Sequence, residues 1–225
     1  MLKDIAVWGR STTEYIQMFD LVAADLKLKI LDCAGGPASF NAEMTKQGFN
    51  VISCDTIYNL TANEIADRIQ EANQPIMNAL QTNSDNFVWQ KIQSPYQLQK
   101  LRMVAMQTFL EDFTLGLQEN RYITSVLPSL PFANRQFDLA LCSHLLFTYS
   151  HCLSQEFHLA SIIEMCRVAK QTRIFPLLST SGKLSSLVQP VIHELKEQGY
   201  TVQIKEVAYE FQKGGNKLLQ VSSPL

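Results

Sequence analysis

The run Ile30-Leu31-Asp32-Cys33-Ala34-Gly35-Gly36-Pro37 is an apolar stretch that ends in residues with very small side chains. A strand that turns sharply into a helix through such residues lets a ligand lie against main-chain atoms. Asp55 closes the next apolar run, 19 residues beyond Gly36. A carboxylate there can accept from both hydroxyls of a ribose. Taken singly, the loop is also a plain strand-to-helix turn and Asp55 a helix cap or a solvated side chain. The pair points to a nucleoside-bearing ligand. His144 and Tyr149 follow a strongly apolar run, Phe137 to Cys142. They fall at the strand end where open α/β sheets bind ligands, so either could orient a substrate or take its proton. An unperturbed histidine base would titrate near about 6.5. The other reading of His144 is a satisfied structural histidine.

Competing chemistries find no support in the residue pattern. No Ser/His/Asp order, carboxylate pair or metal spacing stands out. His151 and His158 lie seven residues apart with Cys152 nearby, which suits a helix surface better than a metal site. The five cysteines, Cys33, Cys54, Cys142, Cys152 and Cys166, are odd in number and read as buried thiols.

The elements around these residues follow from periodicity and turn signals. Ser11-Thr12-Thr13-Glu14 reads as a capping box opening a helix to about Ala24, with Tyr15, Met18, Phe19 and Val22 on one face. Lys27 to Ala34 is a strand, Ser39 to Gln47 a helix ended by Gly48, and Asn50 to Asp55 a strand. This is a βαβ unit with parallel strands. Thr61 to Asn120 is rich in Gln and Asn, with helices at Glu64 to Gln81 and Gln97 to Gln118. It exceeds what a crossover needs. It reads as a helical insert that buries Trp89, Tyr96, Leu101, Met103, Phe109 and Phe113.

The parallel pattern then resumes. Arg121 to Leu127 and Phe137 to Cys142 are strands, Ser154 to Lys170 a helix, Arg173 to Leu178 a strand and Leu187 to Gln198 a helix. Thr201 to Phe211 and Lys217 to Val221 are strands joined through Lys213-Gly214-Gly215-Asn216, a hairpin signal.

In these residues the chain resembles the class I S-adenosylmethionine-dependent methyltransferases. Their acidic residue followed by spaced glycines matches Asp32 to Ala38, and their ribose-binding acid matches Asp55. Their fourth-strand block matches Leu130 to His144, and a helix like theirs ends in Glu164-Met165-Cys166-Arg167-Val168. The likeness covers Lys27 to Asp55 and Arg121 to Leu225. It implies a single α/β domain over 1–225 with a Rossmann-like, mostly parallel seven-stranded sheet. An antiparallel hairpin would stand at the C-terminal edge, and the N-terminal helix (11–24) and the insert (about 61–120) would form a lid.

The cofactor implied is S-adenosylmethionine, with Asp32, Ala34, Gly35, Gly36, Asp55, Ile57, Leu127, Cys142 and Ser143 around it. The carbonyls of Ala34 and Cys142 would take its amine and Arg10 its carboxylate. Two departures stand out. The family's spaced glycines fall on Ala34, Gly36 and Ala38, and alanine is tolerable there if the backbone angles stay negative. After the third strand, Ser125-Val126-Leu127-Pro128 offers no carboxylate for the adenine amine. Pro37 at the helix start removes a donor that a pyrophosphate would need, which favours a sulfonium cofactor over a nicotinamide one.

Composition sets the outer bounds. Hydrophobic residues make up 46% and charged residues 18%, with a formal charge of -2. That is a folded chain with no strong electrostatic signal for nucleic acid. The start lacks the features of a signal peptide, and no apolar run reaches the length of a membrane helix. The expected location is the cytoplasm. The acceptor expected is a small molecule. The same fold acting on protein or RNA, or serving as a non-catalytic cofactor-binding module, is the alternative.

Overall fold

A computed structural model describes residues 6–224. Met1 to Ile5, part of the start searched for a leader signal, and Leu225 lie outside the described residues. The strands are β1 (Ile30–Cys33), β2 (Val51–Asp55), β3 (Tyr122–Thr124), β4 (Phe137–Ser143), β5 (Ala169–Phe175), β6 (Thr201–Glu206) and β7 (Lys217–Ser222). They form one seven-stranded sheet in the order β3-β2-β1-β4-β5-β7-β6. β1 to β5 pair in parallel, whereas β7 runs antiparallel to both β5 and β6. This is the Rossmann-like, mostly parallel seven-stranded sheet expected from the sequence, with its antiparallel C-terminal edge.

The helices are α1 (Thr12–Met18), α2 (Phe40–Lys46), α3 (Ala62–Thr82), α4 (Pro95–Gln118), α5 (Gln155–Val168) and α6 (Val188–Glu197). Alternate strand residues feed two cores. Leu31, Cys33, Cys142 and Ile174 pack against α5 and α6 on one face. Ile30, Val51, Leu139 and Leu141 pack with Tyr15, Phe19 and Phe40 of the α1–α2 side on the other. Burial on both faces is why these strands read as nearly continuous apolar runs.

Several boundaries differ from the sequence reading. The Ser11 capping box is present, but α1 stops at Met18 and Val22 is 57% exposed. Asp20, with a φ of 50°, turns the chain away two residues later. α5 passes directly into β5 at Ala169, four residues before the expected strand, because Phe137 needs Ala169 as its register partner. No Gly or Asn marks that junction. Pro176, which has no N–H to donate, follows the end of β5.

β6 stops at Glu206 rather than running to Phe211. Tyr209 turns into the core, and Phe211 stacks on Phe87 at 4.8 Å. The Gly-Gly turn therefore sits inside a longer connection, closed by Val207 N–H donating to the Asn216 carbonyl.

Within the 61–120 segment, α4 is the crossover between β2 and β3. Its Phe109 and Phe113 pack on Tyr58 and Tyr122. α3 is what the segment adds. Tyr96 and Leu101 do not join its core: they are 73% and 47% exposed. Four cysteines are buried, but Cys152 is exposed, on a loop. His158 is not on a surface. It is fully buried on α5, where Nε2 accepts from Phe147 N–H at 2.9 Å. No helix among the described residues is long and apolar enough to cross a membrane.

Candidate functional site

The C-terminal ends of β1, β2 and β4 meet because Cys33 pairs with Cys54 on one side and Cys142 on the other. Ala34, Gly35, Gly36, Asp55, Ser143 and His144 therefore emerge together. Ala34 and Gly36 adopt φ values of 54° and 53°. Ala34 thus departs from the negative angle expected of it and stores backbone strain of the kind that clusters at functional sites. Gly35 has no room for a side chain: a Cβ would stand 2.3 Å from Asp32 Oδ2.

Several backbone donors of this loop already have protein acceptors. Gly35 N–H donates to the Cys54 carbonyl at 3.3 Å, and Gly36 N–H to Asp55 Oδ2 at 3.0 Å. Pro37 has no N–H, and Ser39 N–H donates to the Arg10 carbonyl at 3.0 Å. Tyr58 O–H donates to the Gly36 carbonyl at 2.8 Å. Asp55 Oδ1 accepts from Ile57 N–H at 2.9 Å. Burial raises the pKa of Asp55, and these backbone donors oppose the rise. Ile57 and Leu127 are buried beside the ends of β2 and β3.

Asp32 lies beneath the loop. It accepts from Tyr15 O–H and Ser53 O–H, each at 3.1 Å. Burial pushes its carboxyl up to about 7 against those two bonds. Cys142 is held as a thiol, pushed up to about 12 by burial.

The segment leading into α1 crosses the glycine loop. A Cβ on Gly9 would stand 1.9 Å from the Pro37 carbonyl oxygen, so only glycine permits this crossing. Beyond it, a cavity of about 340 Å³ opens at the ends of β4 and β5. Trp8, Arg10, Arg102, His144, Phe175 and Tyr209 line it, with Leu80 of α3 and Phe211 of the 207–216 connection. Arg102 pairs with Glu14, which also accepts from Tyr209 O–H at 3.0 Å. This buried network ties α1, α4 and the 207–216 connection together around the cavity.

His144 faces this cavity with a φ of 54°, and its N–H donates to the Phe175 carbonyl at 2.7 Å. Nδ1 pairs with Ser143 Oγ at 2.8 Å. Burial, then Arg10 and Arg102, push the imidazole well below its ordinary value, so it does not titrate near 6.5 as expected. Tyr149 stands apart from the cavity lining. Its hydroxyl accepts from Ala6 N–H at 2.9 Å and so anchors the N-terminal segment.

Trp8, Arg102, Tyr209 and Phe211 were not singled out in the sequence. Arg102 did leave a signal, because it falls on the buried stripe of α4 formed by Leu98, Ala105, Met106, Phe109 and Phe113. A charged residue on such a stripe is seldom buried without a partner.

No protein-family profile matches the chain. It is 35% identical over 219 residues to the uncharacterized protein MJ0045 of Methanocaldococcus jannaschii, covering 97% of this chain and 96% of that one. Among solved structures it is similar to the methyltransferase domain of a bacterial Hen1, with a TM-score of 0.47, 10% identity and coverage of 93% and 100%. It is also similar to magnesium protoporphyrin IX methyltransferase from Synechocystis, solved with bound S-adenosylmethionine: TM-score 0.46, 12% identity, coverage 93% and 80%. A TehB-like methyltransferase from Corynebacterium glutamicum gives a TM-score of 0.45 at 15% identity, with coverage of 88% and 81%.

Proposed function

This chain belongs to the same family as that M. jannaschii protein, and we propose that it transfers a methyl group from S-adenosylmethionine to a small-molecule acceptor. The observation that carries the proposal is the glycine loop. Its amides at Gly35, Gly36 and Ser39 already have protein acceptors, and Asp55 stands against it. A pyrophosphate needs free amides at this point, so a dinucleotide finds few donors. A nucleoside without phosphates needs acceptors for its ribose instead. A carboxylate offers roughly four acceptor positions. The amides of Gly36 and Ile57 take two at Asp55, and the Thr56 hydroxyl, at 3.4 Å, can turn away.

The residues present fit the remaining parts of the cofactor. Ile57 and Leu127 offer apolar contact to the adenine. The Ala34 and Cys142 carbonyls would take the amine. The cofactor supplies an electrophilic methyl group on a sulfonium, and its transfer requires alignment and exclusion of water. The chain provides both through the cavity beside the loop, closed by Trp8, Phe211 and the Glu14–Arg102–Tyr209 network. His144 stays neutral there. Its Nε2, without a partner among the described residues, can accept a hydrogen bond and orient the acceptor. A cavity of about 340 Å³ suits a small acceptor better than a protein or RNA chain.

Calorimetry on the purified protein tests the cofactor. S-adenosylmethionine and S-adenosylhomocysteine should bind and NAD should not. Tight NAD binding, or none of the three binding, overturns the proposal. Release of S-adenosylhomocysteine in the presence of small-metabolite extract then separates an enzyme from a binding module.

A further inference from the structure

The cavity at the ends of β4 and β5 holds more positive charge and more unmet donors than its own residues can satisfy. Arg10 Nε and Trp8 Nε1 are both buried without an acceptor among the described residues. Among the described residues, the one hydrogen bond made by the Arg10 side chain runs from Nη1 to the Trp8 carbonyl at 3.3 Å. A guanidinium carries five N–H donors and cannot shed its charge in a protein. Burial and the neighbouring Arg102 both lower the pKa of Arg10, which marks an incompletely compensated cation. The nearby Glu14 carboxylate relieves it only in part. Glu14 is committed to Arg102, to Ser11 N–H at 3.0 Å and to Tyr209 O–H at 3.0 Å. Two arginines therefore face one carboxylate.

We propose that the methyl acceptor is an organic anion. Its carboxylate, or a similar oxyanion, rests on Arg10 and the Trp8 N–H, and its flat apolar body lies among Phe175, Tyr209, Phe211 and Leu80. This rests on the cofactor reading above, and that reading strengthens it. A sulfonium cofactor, with one ammonium and one carboxylate, adds net positive charge whichever way its carboxylate points. The cavity size agrees with the proposed acceptor. A void of about 150 Å³ holds a single benzene ring, so about 340 Å³ admits one or two rings with a polar group. Unpaired buried donors also give specificity, because a neutral analogue leaves them unmet.

The same guanidinium could instead meet the carboxylate of the cofactor's methionine, the role expected for it from the sequence. Calorimetry distinguishes the two sources. The probes are 1-naphthoate and 1-naphthamide, titrated into the full-length protein with and without saturating S-adenosylhomocysteine. Naphthoate should bind at least about ten-fold more tightly than the amide, as a charge-assisted bond implies. Arg10→Gln should reduce that preference to within about two-fold and leave S-adenosylhomocysteine affinity within about two-fold. Trp8→Phe, which removes the indole N–H and keeps an aromatic side chain, should reduce the preference in part and serves if Arg10→Gln does not fold.

Equal binding of the two probes, or binding of neither, overturns the proposal. So does a preference that survives both substitutions. Loss of S-adenosylhomocysteine affinity in Arg10→Gln with the naphthoate preference intact assigns the arginine to the cofactor. If wild-type protein does not bind S-adenosylhomocysteine, the cofactor reading fails, and the naphthoate preference without it still decides the anion site.

Discussion

Arg121 and Arg10 stand at opposite ends of the sheet and are treated in opposite ways. Arg121 directly precedes β3, at the end away from the cavity. Its Nη1 and Nη2 donate to Asp112 at 2.6 and 2.8 Å, Nη1 also to Asn41 Oδ1 at 2.8 Å, and Nε to Glu119 at 2.7 Å. Asn41 in turn donates to the carbonyls of Val51 and Arg121 at 3.2 and 3.0 Å. Every strong donor there has a protein acceptor, and the cluster locks α2, α4, β2 and β3 into register. Arg10 has one long bond to a neighbouring carbonyl and a buried Nε with none among the described residues. Native proteins seldom leave such groups unmet. The contrast separates an arginine that holds the fold from one that awaits a ligand.

The largest expected effect is at the saturated end. Arg121→Met should cost about 3 kcal/mol of stability in urea denaturation, since Asp112 and Asn41 lose their partner in a largely buried setting. A loss within the noise would break the comparison. Next, Asp55→Ala should weaken S-adenosylhomocysteine binding by about 1.5–3 kcal/mol in calorimetry, as a charge-assisted acceptor disappears. Unchanged affinity in a folded protein removes Asp55 from the ribose site.

A smaller effect concerns pH. Folded Asp32 titrates at about 7, whereas an unfolded aspartate titrates near about 3.9. Between those values the native state holds a proton that the unfolded chain has lost, so stability falls as pH rises through this window and levels off above it. Melting temperatures from pH 5 to 8 should show that decline in the wild type and a flatter profile in Asp32→Asn. Parallel profiles would remove Asp32 as its source. The smallest effect is at the open end. Arg10→Met should change stability by less than about 0.5 kcal/mol or raise it, because it removes an unpaired buried cation. A loss as large as that at Arg121 would mean that Arg10 is structural after all.

Much of this architecture was legible in the chain. The βαβ unit from Ile30 to Asp55 announces itself because strand, glycine turn and helix each obey short-range rules, and the apolar patterning of β4 and α5 does the same. The Ser11 capping box likewise needs no neighbour beyond Glu14. What failed were features set by distant partners. The end of β6 is decided by Phe87, which lies far away in sequence and draws Phe211 out of the strand. The start of β5 is decided by pairing with Phe137.

The cavity divides in the same way. The glycine loop beside it could be read from Asp32, Gly35, Gly36 and Asp55, because a tight strand-to-helix turn and an acid at the next strand end are local demands on residue type. The cavity wall could not. Trp8, Arg102, Tyr209 and Phe211 come from three separated segments, and none has a spacing that signals its neighbours. By itself the sequence determined the order of strands and helices, which turn must be glycine, and which acid stands at the end of the next strand. Only the tertiary structure decided that Arg102 finds Glu14 while Arg10 is left without an anion, because charge pairing depends on through-space distance, which residue order does not carry.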